Sequence, residues 1–401
     1  MLRSHPVADA NATQTARHNV EASTPRSTPR RAALFRGVAQ WRNPQSMVRR
    51  EAREALRDGE WPALVVEAAL DAVLRDAEAV LSATAEPNAS LTVLAIMPGN
   101  VIGPVIATAY CAAAAGARLM LKSSSRELRL ADILARQFQT LGAPVAGTLE
   151  PMRWTGGDVD WEKKVFAQAA RIVAFGNDDT IADIRHRAPH GVDVVAYGSA
   201  YSVGFIPAGD IAAVALTAAR DVAMFDQRGC LSPQTIYVEG DEARAILFGH
   251  ALARALEPVA RELPRASAGT TERAAIGDFV RRLQVRALPA SSHALGTVIQ
   301  GPATLGYPEF VVGIEPFGSP VCAGFGRLVV VKPCSDAQAA AAAAATLGAQ
   351  LDTVGIGGSY DPFTRVFFGA GARRVCSLGE MQRPPFGYRP QIADFREIAI
   401  A

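Results

Sequence analysis

Apolar residues recur at near-helical spacing between Ser46 and Thr84: Val48, Ala52 and Leu56, then Leu64, Val65, Ala68, Leu70, Val73, Leu74 and Val80. Gly59 and Pro62 divide this stretch into two helices, and no glycine or proline interrupts 63–85. After Pro87 the pattern changes. The run 91–97 (LTVLAIM) is mostly apolar, as in a strand buried on both faces of a parallel sheet. A Pro98-Gly99-Asn100 turn follows, then an Ala-rich helix over 102–117. The same alternation continues with a strand at 118–122, a Ser123-Ser124-Ser125 turn, a helix over 128–141, a strand at 172–175, Gly176-Asn177, a helix from Thr180, and a strand at 192–197 ending at Gly198-Ser199. Strands alternating with helices predict an open, doubly wound α/β domain whose ligand sits at the carboxyl ends of its strands.

A second α/β unit is read beyond it, with a helix over 211–223, a loop around Cys230, a strand at 235–239, helices over 241–256 and 272–283, a strand at 328–332 and a helix over 336–347. The resulting division is an N-terminal extension over 1–45, expected to be disordered, a first domain over 46–205, a second over 206–375, and a closing segment over 376–401. The extension is rich in Ser, Thr, Ala and Arg and has no apolar centre, which excludes a secretory signal.

Composition narrows the function. With 401 residues and 49% hydrophobic content the chain can bury two or three domain cores. A formal net charge of +2 provides no general field for nucleic acid or an anionic membrane, and no uninterrupted apolar run is long enough for a membrane span. Five cysteines, at 111, 230, 322, 334 and 376, are odd in number and widely spaced, and no histidine stands at metal-ligand spacing from any of them. Reduced thiols in a cytoplasmic setting, without a metal site, fit this usage.

Cys230 differs from the other four because it lies in a polar loop with Asp226, Gln227 and Arg228. A thiolate is the useful nucleophile, and a neighbouring cation favours it. A buried core thiol and an outward-facing arginine fit the same residues. Asn100 could present its amide to a developing oxyanion, paired with the Cys230 N–H, or could be an ordinary turn residue. Lys122 with Ser123, Ser124 and Ser125 could hold ribose or phosphate, or could cap a helix. Gly176, Asn177 and Gly198 are strand ends where backbone can approach a cofactor, or simple turns. No Gly-x-Gly-x-x-Gly fingerprint or P-loop is present.

Taken in order, the segments Gly99-Asn100-Val101, Leu121-Lys122-Ser123-Ser124-Ser125, 224–239 (MFDQRGCLSPQTIYVE), 351–356 (LDTVGI) and 376–385 (CSLGEMQRPP) resemble the aldehyde dehydrogenase superfamily. The similarity is closer to the acyl-CoA reductase family that includes the LuxC fatty-acid reductase subunit, and it extends over about 46–401. The resemblance implies an aldehyde dehydrogenase-like fold with two doubly wound α/β domains, cofactor-binding and catalytic, and a helical N-terminal segment. It implies Cys230 as acyl acceptor from acyl-CoA or a carrier-bound acyl group, Asn100 in the oxyanion site, and Lys122, Ser125, Gly176, Asn177 and Gly198 around a nicotinamide cofactor. It also places Glu315, in Glu315-Pro316-Phe317-Gly318, at the nicotinamide ribose, although Ser319 interrupts that motif before Pro320.

Two departures shape the expected activity. The stretch 194–199 (VVAYGS) offers no general-base carboxylate, so an acyl-enzyme should exchange with thiols rather than hydrolyse. Ser125 stands where an acid would repel a 2′-phosphate, which favours NADPH while still admitting NADH. The expected activity is reduction of an acyl thioester to an aldehyde. A non-acylating aldehyde dehydrogenase and a silent acyl-transfer or scaffold protein are the competing readings. A homo-oligomer is implied by the superfamily's habit. The block at 381–385 (MQRPP) suggests packing or a subunit contact but no chemistry.

Overall fold

The computed structural model describes residues 28–58, 61–83, 91–125, 129–287, 297–304, 306–319 and 326–388. Four helices open the described chain: α1 (Pro29–Arg42), α2 (Met47–Asp58), α3 (Ala63–Val73) and α4 (Ala77–Ala83). Helix α1 lies inside the stretch expected to be an extension, so that expectation fails for 29–42. Thr28 caps it, Pro29 takes the first turn where no N–H is needed, and Leu34, Val38 and Trp41 are buried in the core. Residues 1–27 of the expected extension lie outside the described residues, as do Cys322 and 389–401. The helix read without a break over 63–85 is interrupted at 74–76. There the Arg42 guanidinium donates to the Leu74 and Arg75 carbonyls, and the Asp76 carboxylate accepts from the Phe386 N–H. Partners distant in sequence override the local pattern.

The first sheet alternates with helices: β1 (Thr92–Ile96), α5 (Gly103–Ala114), β2 (Arg118–Lys122), α6 (Leu130–Leu141), β3 (Leu149–Met152), α7 (Val159–Phe166), β4 (Arg171–Phe175), α8 (Asp178–Arg187) and β5 (Asp193–Tyr197). All five strands are parallel, in the order β3-β2-β1-β4-β5. Val93 and Ala95 face the N-terminal helices while Leu94 faces Phe166 and Ile184, which explains the apolar run in β1. Strand β3 escapes the sequence pattern because it is a short edge strand containing Glu150 and Pro151.

The second unit contains β6 (Tyr201–Ile206), α9 (Ile211–Ala223), β7 (Pro233–Glu239), α10 (Glu242–Glu262), α11 (Thr270–Ala287), β8 (Val298–Gln300), β9 (Ala303–Thr304) and β10 (Tyr307–Pro308). It continues with β11 (Val311–Ile314), β12 (Leu328–Cys334), α12 (Ala337–Ala345), β13 (Leu351–Ile356), α13 (Thr364–Gly369) and β14 (Arg374–Ser377). Its main sheet runs β14-β13-β6-β7-β12-β11-β8, with α9 and α10 on one face and α12 and α13 on the other. Strand β6 belongs to this sheet. The division expected after 205 therefore falls at 198–200, where the chain leaves β5 for β6. Strand β14 likewise places 376 and 377 inside the second sheet rather than in a separate segment.

This connection sets the geometry of the site. Strands β1 to β5 point their carboxyl ends at the gap between the sheets, while β6 and β7 start there. The second sheet thus presents the amino ends of its strands, which differs from the general rule for doubly wound sheets. Among the described residues no helix is long and apolar enough to cross a membrane, and no cluster of residues could hold a metal ion.

Candidate active site

A cleft of about 1520 Å³ occupies that gap. Asn100, Lys122, Ser125, Gly176, Asn177, Gly198 and Cys230, seven of the eight expected site residues, line it together. Glu315 does not. It directly follows β11, a strand parallel to β12 and through it to β7, and its N–H bonds the Val331 carbonyl, which sets it level with Lys332 and Tyr237. It therefore lies at the carboxyl edge of the sheet, whereas Cys230 precedes the amino end of β7. The side chain is 2% exposed and accepts from Ser319 Oγ. The segment that does reach the cysteine loop from this region is 326–328.

The loop is built by an unusual backbone. Phe225, Asp226 and Gln227 have φ of 54°, 50° and 57°, left-handed conformations that side chains with a Cβ disfavour. Buried partners hold all three. Asp226 Oδ1 accepts from Arg327 Nε at 2.8 Å, Oδ2 accepts from the Ala266 N–H at 3.0 Å, and its carbonyl accepts from the Gly326 N–H. Gln227 donates to the Pro233 carbonyl and accepts from the Leu328 N–H, so its amide fastens the loop to β7 and β12. Phe225 packs edge-on against Trp61 at 5.8 Å.

The chain then passes Arg228 and Gly229 to Cys230, which is half-buried. The Cys230 carbonyl accepts from Ser202 Oγ at 2.6 Å, and the Arg228 carbonyl accepts from the Asn100 side-chain amide. Asn100 belongs to the turn after β1, so this bond joins the first domain directly to the cysteine loop. The Arg228 side chain has partners of its own. It pairs with Glu272 at 2.9 Å and lies 5.2 Å from the Trp61 ring centre. Glu272 is the sole carboxylate among the described lining residues, and this ion pair engages it. Strand β5 ends without an acid, as its sequence requires.

At the other end of the cleft, Lys122 finishes β2, with its ammonium 5.2 Å from the Trp154 ring centre and donating to the Ser123 carbonyl. Burial pulls this ammonium below its ordinary pKa, and Glu162 opposes that shift. Ser123 Oγ is buried and has no hydrogen-bond partner among the described residues. Asn177 is the N-cap of α8, its side-chain oxygen accepting from the Thr180 N–H at 2.8 Å. The glycines have packing reasons of their own. A Cβ at Gly176 would fall 2.8 Å from Thr180 Cγ2, and one at Gly198 would fall 2.6 Å from Asp178 Oδ1. Phe175 and Tyr197 stack at 4.2 Å at the ends of β4 and β5, a cleft-lining pair that the strand-end reading overlooked.

Sequence reading also missed the far end of the described chain. Residues 379–388 fold back from β14 across the cysteine loop. Asp221, in α9, accepts from the Gly379 N–H at 2.5 Å and from the Gln382 N–H at 3.4 Å. Gln382 Nε2 bonds Ser232 Oγ at 2.7 Å. Desolvation raises the buried Asp221 carboxyl to about 7, against the lowering effect of these N–H groups and of Arg374. The signal was present in the block 381–385, but nothing in its residue types shows where it packs.

Comparison with known proteins agrees with this architecture. The profile of the family described as acyl-CoA reductase (LuxC) matches residues 37–389. The long-chain acyl-protein thioester reductase of Aliivibrio fischeri is 30% identical over 161 residues, 39% of this chain and 33% of that protein. Its namesake from Photorhabdus laumondii is 33% identical over 161 residues, with the same coverage of 39% and 33%. The matched stretch thus spans about a third of the length of these curated relatives. Among solved structures, an NAD-dependent benzaldehyde dehydrogenase from Corynebacterium glutamicum aligns with a TM-score of 0.69 at 16% identity, covering 91% of this chain and 83% of that one. Aldehyde dehydrogenase 21 from Physcomitrella patens, in complex with the reaction product succinate, aligns with a TM-score of 0.69 at 16% identity over 90% of this chain and 79% of its own. The fold is that of the aldehyde dehydrogenases, and the chain belongs to the acyl-CoA reductase (LuxC) family.

Proposed function

We propose that this cleft reduces an acyl thioester to an aldehyde, with Cys230 as acyl acceptor and a nicotinamide cofactor as reductant. The observation that carries this reading is the Asn100 amide bonded to the backbone beside Cys230, in one cleft with Lys122. A side-chain amide carries two N–H donors, and only one is needed for the Arg228 carbonyl. The other, with the Cys230 N–H, suits an oxygen that gains charge as the thioester carbonyl is attacked.

In the first step the Cys230 sulfur bonds to the acyl carbon and the bond to the departing thiol breaks, leaving a thioester on the protein. A nicotinamide cofactor held at Lys122 and Ser123 would supply the hydride needed to take this thioester to the thiohemiacetal on Cys230. Breakage of the carbon–Sγ bond then frees the aldehyde and restores the thiolate. Lys122 and the unpartnered Ser123 hydroxyl fit the hydroxyls of a ribose, and the Phe175–Tyr197 stack offers a flat wall. Ser125, exposed at the rim, opposes no 2′-phosphate, which favours NADPH with NADH as the alternative. Val73, Val101, Pro104, Ala107, Phe225 and Phe386 give the cleft an apolar side suited to the long-chain acyl group named for the relatives. The donor is acyl-CoA or a carrier-bound acyl group. The end of β5 offers no carboxylate, and Glu272, the one carboxylate among the described lining residues, is paired through Oε2 with Arg228, which disfavours a non-acylating aldehyde dehydrogenase.

Labelled long-chain acyl-CoA tests this. Label should attach to the wild-type protein, discharge as aldehyde when NADPH is added, and fail to attach to Cys230→Ala. Attachment that persists with NADPH points to acyl transfer instead. Normal labelling and reduction by Cys230→Ala would overturn the mechanism.

A further inference from the structure

The folded-back segment 379–388 contributes one side chain whose surroundings go beyond packing. Gln382 is 8% exposed and lines the cleft. Its Nε2 faces Ser232 Oγ at 2.7 Å and the Asp221 carbonyl at 3.5 Å. The Asp221 carbonyl can only accept, so it fixes which end of the amide is nitrogen. The oxygen then points the other way. A Cβ at Gly229 would lie 3.7 Å from Gln382 Oε1, which sets that oxygen against the residue preceding Cys230. Oε1 receives no hydrogen bond from the described residues. The support beneath it is firm: Asp221 takes the Gly379 and Gln382 N–H groups, Arg374 donates to the Glu380 and Met381 carbonyls, and Met381 is fully buried.

An acceptor held in place beside a nucleophile needs a donor on the substrate. An amide oxygen is too weak a base to take the thiol proton, so its chemistry is recognition. We propose that Gln382 is a specificity-determining residue that accepts a hydrogen bond from an N–H of the thiol arm of the substrate. The matching group is a secondary amide joined to the thioester sulfur by an ethylene bridge, as in pantetheine, which coenzyme A and acyl-carrier proteins share. This rests on the acyl-enzyme reading above. A site built to bond an N–H discriminates strongly against an isostere that lacks it, because the buried acceptor is left unpaired.

The test compares two octanoyl thioesters, one of N-acetylcysteamine and one of 2-acetoxyethanethiol, in which oxygen replaces the N–H. The readout is the rate of Cys230 acylation. The wild-type protein should prefer the amide by about tenfold, the worth of one neutral hydrogen bond in a buried site. Gln382→Met should lose that preference while retaining its rate with the oxygen analogue. Equal slowing of both substrates in Gln382→Met would mark a merely structural residue and overturn the inference. Should that variant not fold, Ser232→Ala, which removes only the anchoring hydroxyl, should narrow the same preference, and an unchanged ratio overturns the inference. Equal acylation of the wild type by both thioesters refutes the role of Gln382 alone. A wild type that accepts acyl from neither refutes the acyl-enzyme reading, and this inference with it.

Discussion

Replacing Arg327 with methionine tests what holds the cysteine loop in its left-handed path. Arg327 is 0% exposed and pairs with Asp226, itself 2% exposed. Its guanidinium also donates to the Leu263 carbonyl at 2.6 Å. Methionine fills a similar volume and meets the same backbone strain at φ 60°, so the change removes the charge and its hydrogen bonds while leaving the packing and the strain. Asp226 would keep the Ala266 N–H but lose its close cation. Breaking a buried pair from one side costs about 3–5 kcal/mol. Three successive left-handed residues each hold roughly 1 kcal/mol or more of strain, so the loop should relax when its anchor goes. Urea titration followed by tryptophan fluorescence suits the measurement, because Trp61 packs on Phe225 and Arg228. The expected result is a loss of about 3–5 kcal/mol together with faster alkylation of Cys230. A loss below about 1 kcal/mol with unchanged alkylation would refute the reasoning, since it would match the worth of an exposed pair.

Other outcomes follow from the same geometry. Asn100→Ala should lower the rate of Cys230 acylation about 10²-fold, as for loss of an oxyanion donor, with thermal unfolding little changed; an acylation rate within about twofold of wild type would count against that role. Lys122→Met should raise the KM for the nicotinamide cofactor severalfold while acylation without cofactor stays at the wild-type rate, and the reverse split would place Lys122 in the chemistry. For Asp221 the folded-state pKa, about 7, stands above the ordinary value of 3.8. Its stabilising contribution is therefore complete below about pH 4 and is lost as pH rises through about 7, an effect of up to about 4 kcal/mol. The stability of the wild type relative to Asp221→Asn should accordingly decline over that range in unfolding experiments at stepped pH, and a constant difference would show that the carboxyl is not perturbed.

The two-domain α/β plan was readable because buried parallel strands leave short apolar runs, as in β1 and β12, and because Ala-rich helices keep one apolar face. Cys230, Asn100 and Lys122 could be picked out for a related reason: each stands in or beside a polar turn that breaks such a run. Elements whose stability comes from distant partners were not legible. Strand β3 is held at an edge despite Pro151, and the turn at 74–76 exists because Arg42 and Phe386 bond it. Glu315 shows the limit of motif matching. Three residue types agreed with a pattern, but parallel strand direction carries the glutamate to the edge of the sheet away from Cys230. Gln382 shows the converse, since its place depends on a buried aspartate far earlier in the chain.

The return of residues 379–388 orders events as well as atoms. This stretch leaves β14, bonds Asp221 and Ser232, and reaches Asp76 and Arg75 in the N-terminal helical region. Both sheets and the cysteine loop precede it in the chain, so during synthesis they leave the ribosome first. The wall of the cleft that carries Gln382 and Phe386 closes only once this stretch has emerged and docked. A nascent chain therefore carries Cys230 in an unfinished pocket until this stretch has joined it.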